Sequence, residues 1–535
     1  YMLKNLHNTL YPSKDFASAL QLFLIQHIAV MLENPNGGNG PGRMDRYLWP
    51  YLKEEWESGK LNHDQVLEMI EEAFMIMDDR IAPLDSWVEA IVVGGTDEKG
   101  NCAVNPLSYI MIEAMMELKN QTHPGVYVSL PKNAPSDFVE LCSEYIIKGY
   151  NRGQIYGDEN IRKALVKDGF KYEETCDFYA GGCMEVGIQG KMGDMHFAYA
   201  LNVPLILEIV LNGGKTFDGK YHFNCPYTKT LCDYSSYEEF YEAFEKEYIR
   251  EINMMHEKID LVTLGYKNHR PMYLMSSMVD DCLGRGKSIN DGGEFYGNYG
   301  GSVVGCANVG DSLYSIKKIF EDKVFSKEDV LEALRNDYKD NETMRQYFLN
   351  LPKYGSGCKE ATDITNQIME IHNKTVKNYN NAMGGHGVSI ILGFVWSGGY
   401  GAHVGATLDG RHSGKALSQG MSPQNGACTE GITTAFRDAM SLNLENVAGG
   451  ASMMWDLDPK WATKDVVKSL LLSYFEMGGH IFQGNVMNKE ILQEALKNPE
   501  EYRDLIVRVG GYSDKFVKLC PELQKEIVNR YVHSG

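Results

Sequence analysis

The sequence has little of what would tie it to nucleic acid, to an anionic surface or to an oxidising compartment. Basic residues are scarce, with 52 Lys and Arg against 72 Asp and Glu, and the formal net charge is −20. Such a charge disfavours nucleic acid and anionic membranes as partners. The 11 cysteines are odd in number and include no Cys-x-x-Cys pair. This usage fits reduced thiols better than a disulfide framework or a structural zinc site.

Targeting and membrane signals also look absent on inspection. The apolar run 388–396 is too short to span a bilayer, and we see no uninterrupted apolar run that is long enough. The first residues lack the charged and then apolar layout of a signal peptide. The hydrophobic fraction of 43% is ordinary for a protein with a sizeable core. Together these features predict a cytoplasmic protein.

Apolar periodicity predicts an α/β fold. Residues recur at three- and four-residue steps in segments that we predict as helices, and short apolar runs between them read as buried strands. The helical segments are 16–32, 61–79, 135–150, 311–320, 327–336 and 362–380. The predicted strands are 90–93, 125–130, 203–210 and 388–392. No internal repeat or linker of disordered composition interrupts this alternation.

The most informative segment is 507–513, which reads Val-Arg-Val-Gly-Gly-Tyr-Ser. A glycine pair often marks nothing more than a turn. It gains significance from a second segment, in which Cys183 follows two glycines and Glu185 stands two residues later. A glycine Cα can hold an unpaired electron, because the adjacent amide and carbonyl delocalise it and no side chain crowds the planar form. A nearby thiol can exchange hydrogen with such a centre, so the two segments suggest a radical enzyme.

Cys183 and Glu185 admit three interpretations. In extended backbone, residues i and i+2 face the same side, so a thiol and a carboxylate could flank one substrate. A buried structural cysteine beside a surface glutamate is an equally ordinary arrangement. A conventional cysteine nucleophile is the third, and it would need a histidine such as His196.

At this point the sequence resembles a known family, the glycyl radical enzymes or pyruvate formate-lyase family. The resemblance extends along essentially the whole chain, in a fixed order of short motifs. Besides the two glycine segments, these are 42–51, 92–95, 280–287, 352–355, 404–411, 421–423 and 499–509.

The resemblance implies a ten-stranded α/β barrel with surrounding helices, in which the cysteine loop and the glycine loop meet. It implies a barrel catalytic domain over 1–400 and a glycine radical domain over 401–535. Gly511 would hold the resting radical, with Gly510 as the alternative, in a radical loop that includes Arg508, Val509 and Tyr512. Cys183 would become the thiyl radical.

The same resemblance implies cofactors and partners. A radical-SAM activating enzyme would install the glycyl radical, and no bound metal or diffusible cofactor is expected. Relatives are commonly dimers and work in the cytoplasm of anaerobic bacteria. Relatives also carry a long helical region before the segment that here begins at Gly42. We therefore expect an N-terminally incomplete chain or a separate N-terminal subunit.

The reaction class follows from the cysteine segment. Pyruvate formate-lyase uses two adjacent cysteines, whereas Gly182 and Met184 flank Cys183 here, which argues against acyl transfer. Cys183 and Glu185 match the Cys-x-Glu pattern of the family's dehydratases, C–N and C–S lyases and arylacetate decarboxylases. In the elimination reaction the cysteine takes hydrogen and the glutamate takes a proton. We expect burial to raise the pKa of Glu185 toward the range that such proton exchange needs.

The substrate pocket is less well defined. Asp85, Trp87 and Glu89 fall where relatives line the pocket, although ordinary barrel structure explains each equally well. His196 is followed by Phe197 instead of aspartate, which disfavours a vicinal diol. The Glu-Val-Gly run is closer to hydroxyproline dehydratase-like members. An arylacetate decarboxylase is the alternative within the family, and an inactive paralogue or a non-radical cysteine hydrolase is the alternative outside it.

Overall fold

The structure, a computed structural model, describes residues 11–34, 40–80, 89–193, 197–219, 225–226, 228–393, 395–530 and 532–533. These residues contain 19 α-helices and 13 strands, numbered here in chain order. The helices are α1 Phe16–Glu33, α2 Met44–Glu57, α3 His63–Arg80, α4 Pro106–Glu117, α5 Ser136–Lys148, α6 Asp158–Asp168, α7 Val203–Leu211, α8 Tyr237–His269, α9 Tyr273–Ser277, α10 Cys282–Arg285, α11 Cys306–Asp322, α12 Lys327–Arg335, α13 Glu342–Asn350, α14 Lys359–Lys377, α15 Trp396–Gly401, α16 Ile432–Met440, α17 Lys464–Glu476, α18 Lys489–Lys497 and α19 Pro521–Val528. The strands are β1 Ala90–Gly94, β2 Gly125–Leu130, β3 Gln154–Gly157, β4 Phe178–Ala180, β5 Val186–Ile188, β6 Tyr199–Asn202, β7 Tyr299–Val304, β8 Gly387–Ile390, β9 Ser452–Leu457, β10 Ile481–Val486, β11 Ile506–Arg508, β12 Ser513–Lys515 and β13 Val532–His533.

Two main sheets form the centre of the molecule. The larger has the order β1-β2-β3-β10-β9-β13 and the smaller has the order β6-β7-β8. Neighbouring strands are parallel except for β3 and β10, which are antiparallel. A parallel bridge between Ile391 and Ala451 connects the two sheets, and another between Gly42 and Ile91 extends the larger sheet beside β1.

The strands bury both faces, which explains why they read as continuous apolar runs. In β1, Ala90 and Val92 pack in a central cluster, whereas Ile91 and Val93 pack in an outer cluster with the helices. Tyr127 of β2 also belongs to the central cluster. Successive side chains of a strand point to opposite faces. The strands therefore separate an inner core from a helical outer layer.

The structure confirms the six predicted helices within a few residues at each end, and three of the four predicted strands. The prediction for 203–210 was wrong, because this segment is the helix α7. The Asn202 side chain accepts a hydrogen bond from Leu205 N–H, and a proline lies in the first helical turn. Both features start helices. A short run that is apolar on every side does not by itself distinguish a buried helix from a buried strand.

Helix α1 corrects the expectation that no segment could span a membrane. Among the described residues it is the one helix that is long and apolar enough to do so, with a mean hydropathy of 1.5. Core helices of soluble proteins meet the same criterion. Phe16, Leu20 and Leu24 of α1 are buried in the outer cluster, which accounts for part of its apolar character.

Candidate active site

Cys183 lies at the tip of a β-hairpin. Strands β4 and β5 pair antiparallel, with Ala180 opposite Val186. The Gly181 N–H closes the loop by donating to the Glu185 carbonyl at 2.7 Å. The backbone from 181 to 184 is a series of bends, so the extended conformation that we expected between Cys183 and Glu185 is not present. The tight loop still places both residues in the interior.

The glycine segment forms a second hairpin, between β11 and β12. Arg508 pairs with Ser513, and the Val509 N–H donates to the Tyr512 carbonyl at 2.9 Å. Gly510 and Gly511 therefore occupy its tip. Val509 and Tyr512 belong to the same central cluster as the cysteine hairpin, so both hairpins enter the core that the strands enclose.

The two tips are in contact. Gly511 has a φ of +81°, a conformation that favours glycine. A Cβ atom on Gly511 would lie 2.6 Å from Cys183 Cβ and 3.0 Å from Met184 Cε. On Gly510 it would instead lie 3.0 Å from Gln419 Oε1. The site thus leaves no room for a side chain at 511, and Gly511 is the glycine that faces Cys183.

In this site Cys183 and Glu185 stay protonated up to a higher pH than they would in water. Burial raises the pKa of the Cys183 thiol, and the nearby Glu185 charge raises it further, with Arg508 acting in the opposite direction. Burial also raises the pKa of Glu185. The Met184 N–H, which donates to the Glu185 carboxylate at 2.9 Å, lowers that pKa but by less than burial raises it. The Cys183 thiol is therefore held in its protonated form.

A buried polar network supports the glycine hairpin. Arg508, only 1% exposed, donates from its backbone N–H to Asn485 at 2.7 Å and from Nε to Gln483 at 2.9 Å. Its guanidinium also contacts the Gln154 side chain. The Gly511 N–H donates to Gln483 Oε1 at 3.2 Å.

Sequence reasoning missed the residues that hold the tips from the strands. Tyr127 donates to the Gly511 carbonyl at 2.7 Å, and Tyr156 donates to the Met184 carbonyl at 3.1 Å. One signal was available in the sequence. Gln154, Gln483 and Asn485 are polar amides inside the strands β3 and β10, where both faces are buried.

Of the five predicted pocket residues, the structure describes Glu89 and Phe197. Asp85, Trp87 and His196 lie outside the described residues. Glu89 is 2% exposed, and its carboxylate lies 2.7 Å from His27 Nε2. Phe197 packs on Trp396, with ring centroids 4.9 Å apart, and both rings pack against the central cluster, as Cys183 does.

The residue that Glu89 contacts, His27, belongs to a cavity that Cys183 does not line in the described part of the chain. His27 lines a cavity of about 480 Å³ between α1, α2 and the segment around Met278. Among the described residues, the lining of this cavity includes neither Cys183 nor Glu185. The structure thus brings together Cys183, Glu185 and Gly511, and it gives Glu89 a different partner.

Comparisons with known proteins identify the arrangement. A family model described as pyruvate formate lyase-like matches residues 7–395, and one described as glycine radical matches residues 417–517. The chain is 31% identical to trans-4-hydroxy-L-proline dehydratase of Clostridioides difficile, over 97% of this chain and 68% of that protein.

Solved structures agree with these matches. Hydroxyproline dehydratase from Clostridioides difficile with substrate bound superposes with a TM-score of 0.93 at 30% identity, over 98% of this chain and 68% of that one. The B12-independent glycerol dehydratase from Clostridium butyricum gives a TM-score of 0.92 at 30% identity, with the same coverage. The chain thus spans about two thirds of the length of these relatives. The likeness confirms the predicted α/β barrel of the glycyl radical enzyme type.

The chain therefore belongs to the pyruvate formate lyase-like family, and it is a glycyl radical enzyme of the lyase class.

Proposed function

We propose that the chain catalyses a radical elimination in which Gly511 stores the unpaired electron and Cys183 uses it. The observation that carries this proposal is the contact between the two hairpin tips, where a Cβ on Gly511 would lie 2.6 Å from Cys183 Cβ. Hydrogen-atom transfer needs such closeness, and no side chain separates the two residues.

The proposed sequence of steps conserves atoms and electrons. Cys183 first gives its thiol hydrogen atom to Gly511 and becomes a thiyl. It then takes a hydrogen atom from the substrate carbon next to the leaving group. Glu185 accepts a proton from a hydroxyl or amine on that carbon, and the neighbouring hydroxyl leaves with its electron pair. The leaving hydroxyl takes the proton back from Glu185 and departs as water, which restores the carboxylate. The product radical takes the hydrogen atom back from Cys183, which then recovers its own from Gly511.

The electrostatics support this use of Glu185 and disfavour hydrolysis. A catalytic base works best when its pKa lies near the working pH, and burial moves the pKa of Glu185 upward in that direction. A hydrolase would need a Cys183 with a lowered pKa, whereas burial raises it. His196, the candidate partner for such a nucleophile, lies outside the described residues.

The substrate that we favour is a hydroxylated ring amino acid of the 4-hydroxyproline type. The Val186-Gly187 pair after Glu185 and the 31% identity to trans-4-hydroxy-L-proline dehydratase support this choice. A second candidate is decarboxylation of an arylacetate, because the aromatic pair of Phe197 and Trp396 packs on the same central cluster as Cys183. Of the other predicted pocket residues, Asp85 and Trp87 remain candidates for substrate contact, and Glu89 is a weaker one because it pairs with His27.

We further propose the partners and the setting. A radical-SAM activating enzyme would install the radical on Gly511, and the protein would act as a homodimer in anaerobic bacterial cytoplasm without a bound metal. A separate N-terminal subunit is an additional candidate partner. The proposed division at residues 400 and 401 is supported by the gap between the two family-model matches, which end at 395 and begin at 417. Strands β9, β10 and β13 belong to the larger sheet, so the part that could leave the core to meet an activase would lie between Val486 and Val532.

The experiment that tests this function is substrate turnover after anaerobic activation. The protein is incubated with an activase, S-adenosylmethionine and reductant, and then with trans-4-hydroxyproline, glycerol or 4-hydroxyphenylacetate. We expect a dehydrated product from the first compound, with none from Cys183→Ser. Release of carbon dioxide from the third would favour the decarboxylase. Turnover in air without activation would contradict the radical mechanism.

A further inference from the structure

Two adjacent strands hold both hairpin tips from one side. Tyr127 lies on β2, and Gln154 and Tyr156 lie on β3, which pairs parallel with β2. The rings of Tyr127 and Tyr156 are 6.2 Å apart, and both are fully buried in the central cluster. These three polar side chains form one surface, which we call the tyrosine clamp.

The tyrosine clamp contacts the backbone of both tips. The Tyr127 hydroxyl donates to the Gly511 carbonyl at 2.7 Å. The Tyr156 hydroxyl donates to the Met184 carbonyl at 3.1 Å, and Gln154 Nε2 donates to the Cys183 carbonyl at 3.3 Å. Gln154 Nε2 also donates to the Tyr156 hydroxyl at 2.7 Å, so the clamp is connected internally. One pair of strands thus contacts the cysteine tip and the glycine tip at the same time.

The hydrogen bonds at Gly511 fall on both peptide groups that flank its Cα. The carbonyl accepts from Tyr127, and the N–H donates to Gln483 at 3.2 Å. Both contacts therefore hold the Gly511 backbone in place opposite Cys183.

Tyr127 acts in this arrangement as a hydrogen-bond donor. Burial raises the pKa of its phenol, and the Arg508 guanidinium 5.4 Å from the ring opposes that shift. The phenol therefore stays protonated at ordinary pH. Since Tyr127 is fully buried, water cannot replace its hydroxyl at the Gly511 carbonyl.

We infer that Tyr127 is a positioning residue that sets the rate at which hydrogen passes between Cys183 and Gly511, with Tyr156 fixing the opposite tip. This inference rests on the proposed roles of Cys183 and Gly511. Tyr127 itself exchanges no hydrogen in this proposal.

Deuterium exchange at the radical tests the inference. In D₂O the Cys183 thiol acquires deuterium and passes it to Gly511, so the electron paramagnetic resonance doublet from the Cα hydrogen collapses to a singlet. We expect this collapse to be about fivefold slower in Tyr127→Phe, the rate change that the loss of one neutral hydrogen bond of about 1 kcal/mol would produce. Tyr156→Phe should slow the collapse in the same direction.

Tyr145→Phe is the matched control. Tyr145 is also fully buried, and its hydroxyl donates to the Val126 carbonyl of β2 at 3.0 Å, on the opposite face from the tips. We expect its collapse rate to equal that of the wild type. Cys183→Ser provides the baseline without exchange.

The possible results distinguish a failure of this inference from a failure of the proposed function. Without a doublet in the activated wild type, the proposed function fails. A second result is a doublet from the wild type and a collapse rate in Tyr127→Phe that is within twofold of the wild-type rate. This result overturns the inference about the tyrosine clamp and leaves the proposed function unaffected. If Tyr127→Phe does not fold, Tyr156→Phe decides, because it leaves Tyr127 in place, and an unchanged rate there overturns the inference equally.

Discussion

Gln483 accepts the Gly511 N–H through its side-chain oxygen at 3.2 Å, and the same oxygen accepts Arg508 Nε–H at 2.9 Å. A single amide on β10 thus fixes both the glycine and the arginine of the radical hairpin. The arginine is buried without a carboxylate at hydrogen-bond distance in the described structure, so its charge depends on amide and hydroxyl partners. Loss of one of these partners would therefore leave the buried arginine with an unmade hydrogen bond and weaken the hairpin.

Gly511→Ala should destabilise the unactivated protein and remove the radical signal. The new Cβ would clash with Cys183 and adopt an unfavourable φ. Gly426→Ala is the control, because Gly426 has a φ of +89° but open space around it. We expect a loss of about 1 kcal/mol in the control and about 1–3 kcal/mol more in Gly511→Ala, measured by chemical denaturation. Equal losses would contradict the close contact of the tips.

Cys183→Ser should keep the glycyl radical and lose turnover. A serine O–H bond is too strong to give its hydrogen to Gly511, whereas the radical on glycine does not require the thiol. Cys520→Ser is the control, since Cys520 is exposed at the surface. We expect normal turnover per radical from the control. Turnover by Cys183→Ser above background would exclude Cys183 as the thiyl residue.

Because of Glu185, kcat should fall as the pH is lowered, which gives the pH profile an acid limb. Because burial raises its pKa, the base form is lost as the pH falls through a value above the ordinary 4.5 of a glutamate. Glu185→Gln should remove this limb and lower kcat by about 10²–10⁴-fold. The measurement is kcat as a function of pH. A limb that persists in Glu185→Gln would assign it to another group.

The same shift predicts a gain in stability. A carboxyl whose folded pKa is raised costs folding free energy at any pH above its unfolded pKa, because the folded state ionises it less readily. Glu185→Gln should therefore raise the melting temperature at pH 7, and the gain should vanish below about pH 4. Glu294 offers the comparison, since burial raises its pKa to about 7, and Glu294→Gln should gain stability without the loss of kcat. A lower melting temperature at pH 7 for Glu185→Gln would contradict this account.

Arg508→Lys should weaken the radical hairpin although it retains the charge. Lysine cannot reproduce the separate contacts of the guanidinium with Gln483, Ser513 and Gln154. We expect a loss of about 3 kcal/mol, because a buried charge is left with unmade hydrogen bonds. Arg503→Lys, at an exposed ion pair with Glu500, should cost less than about 1 kcal/mol. Similar losses in both variants would show that the network contributes little.

The sequence was sufficient for the two hairpin tips but not for what holds them. Gly511 and Cys183 stand in local motifs whose chemistry is specific, so each could be found from its neighbours alone. Tyr127 contacts Gly511 across 384 positions of sequence, and no local pattern encodes that pairing. It depends on strand order and on which face of β2 points inward.

Another expectation failed for a physical reason. The run 203–210 is apolar on all sides, so its period carried no information, and the cap at Asn202 was the decisive signal. Glu89 stays a predicted pocket residue, and no local pattern in the sequence indicated that its side chain contacts His27 of α1.

The most direct test of the account is electron paramagnetic resonance of the activated protein. After anaerobic incubation with a radical-SAM activase, S-adenosylmethionine and reductant, we predict a doublet that is split by one Cα hydrogen. The doublet should be absent in Gly511→Ala and present in Gly426→Ala. A doublet that persists in Gly511→Ala, or none from a folded wild type with a competent activase, would contradict the assignment of the radical to Gly511.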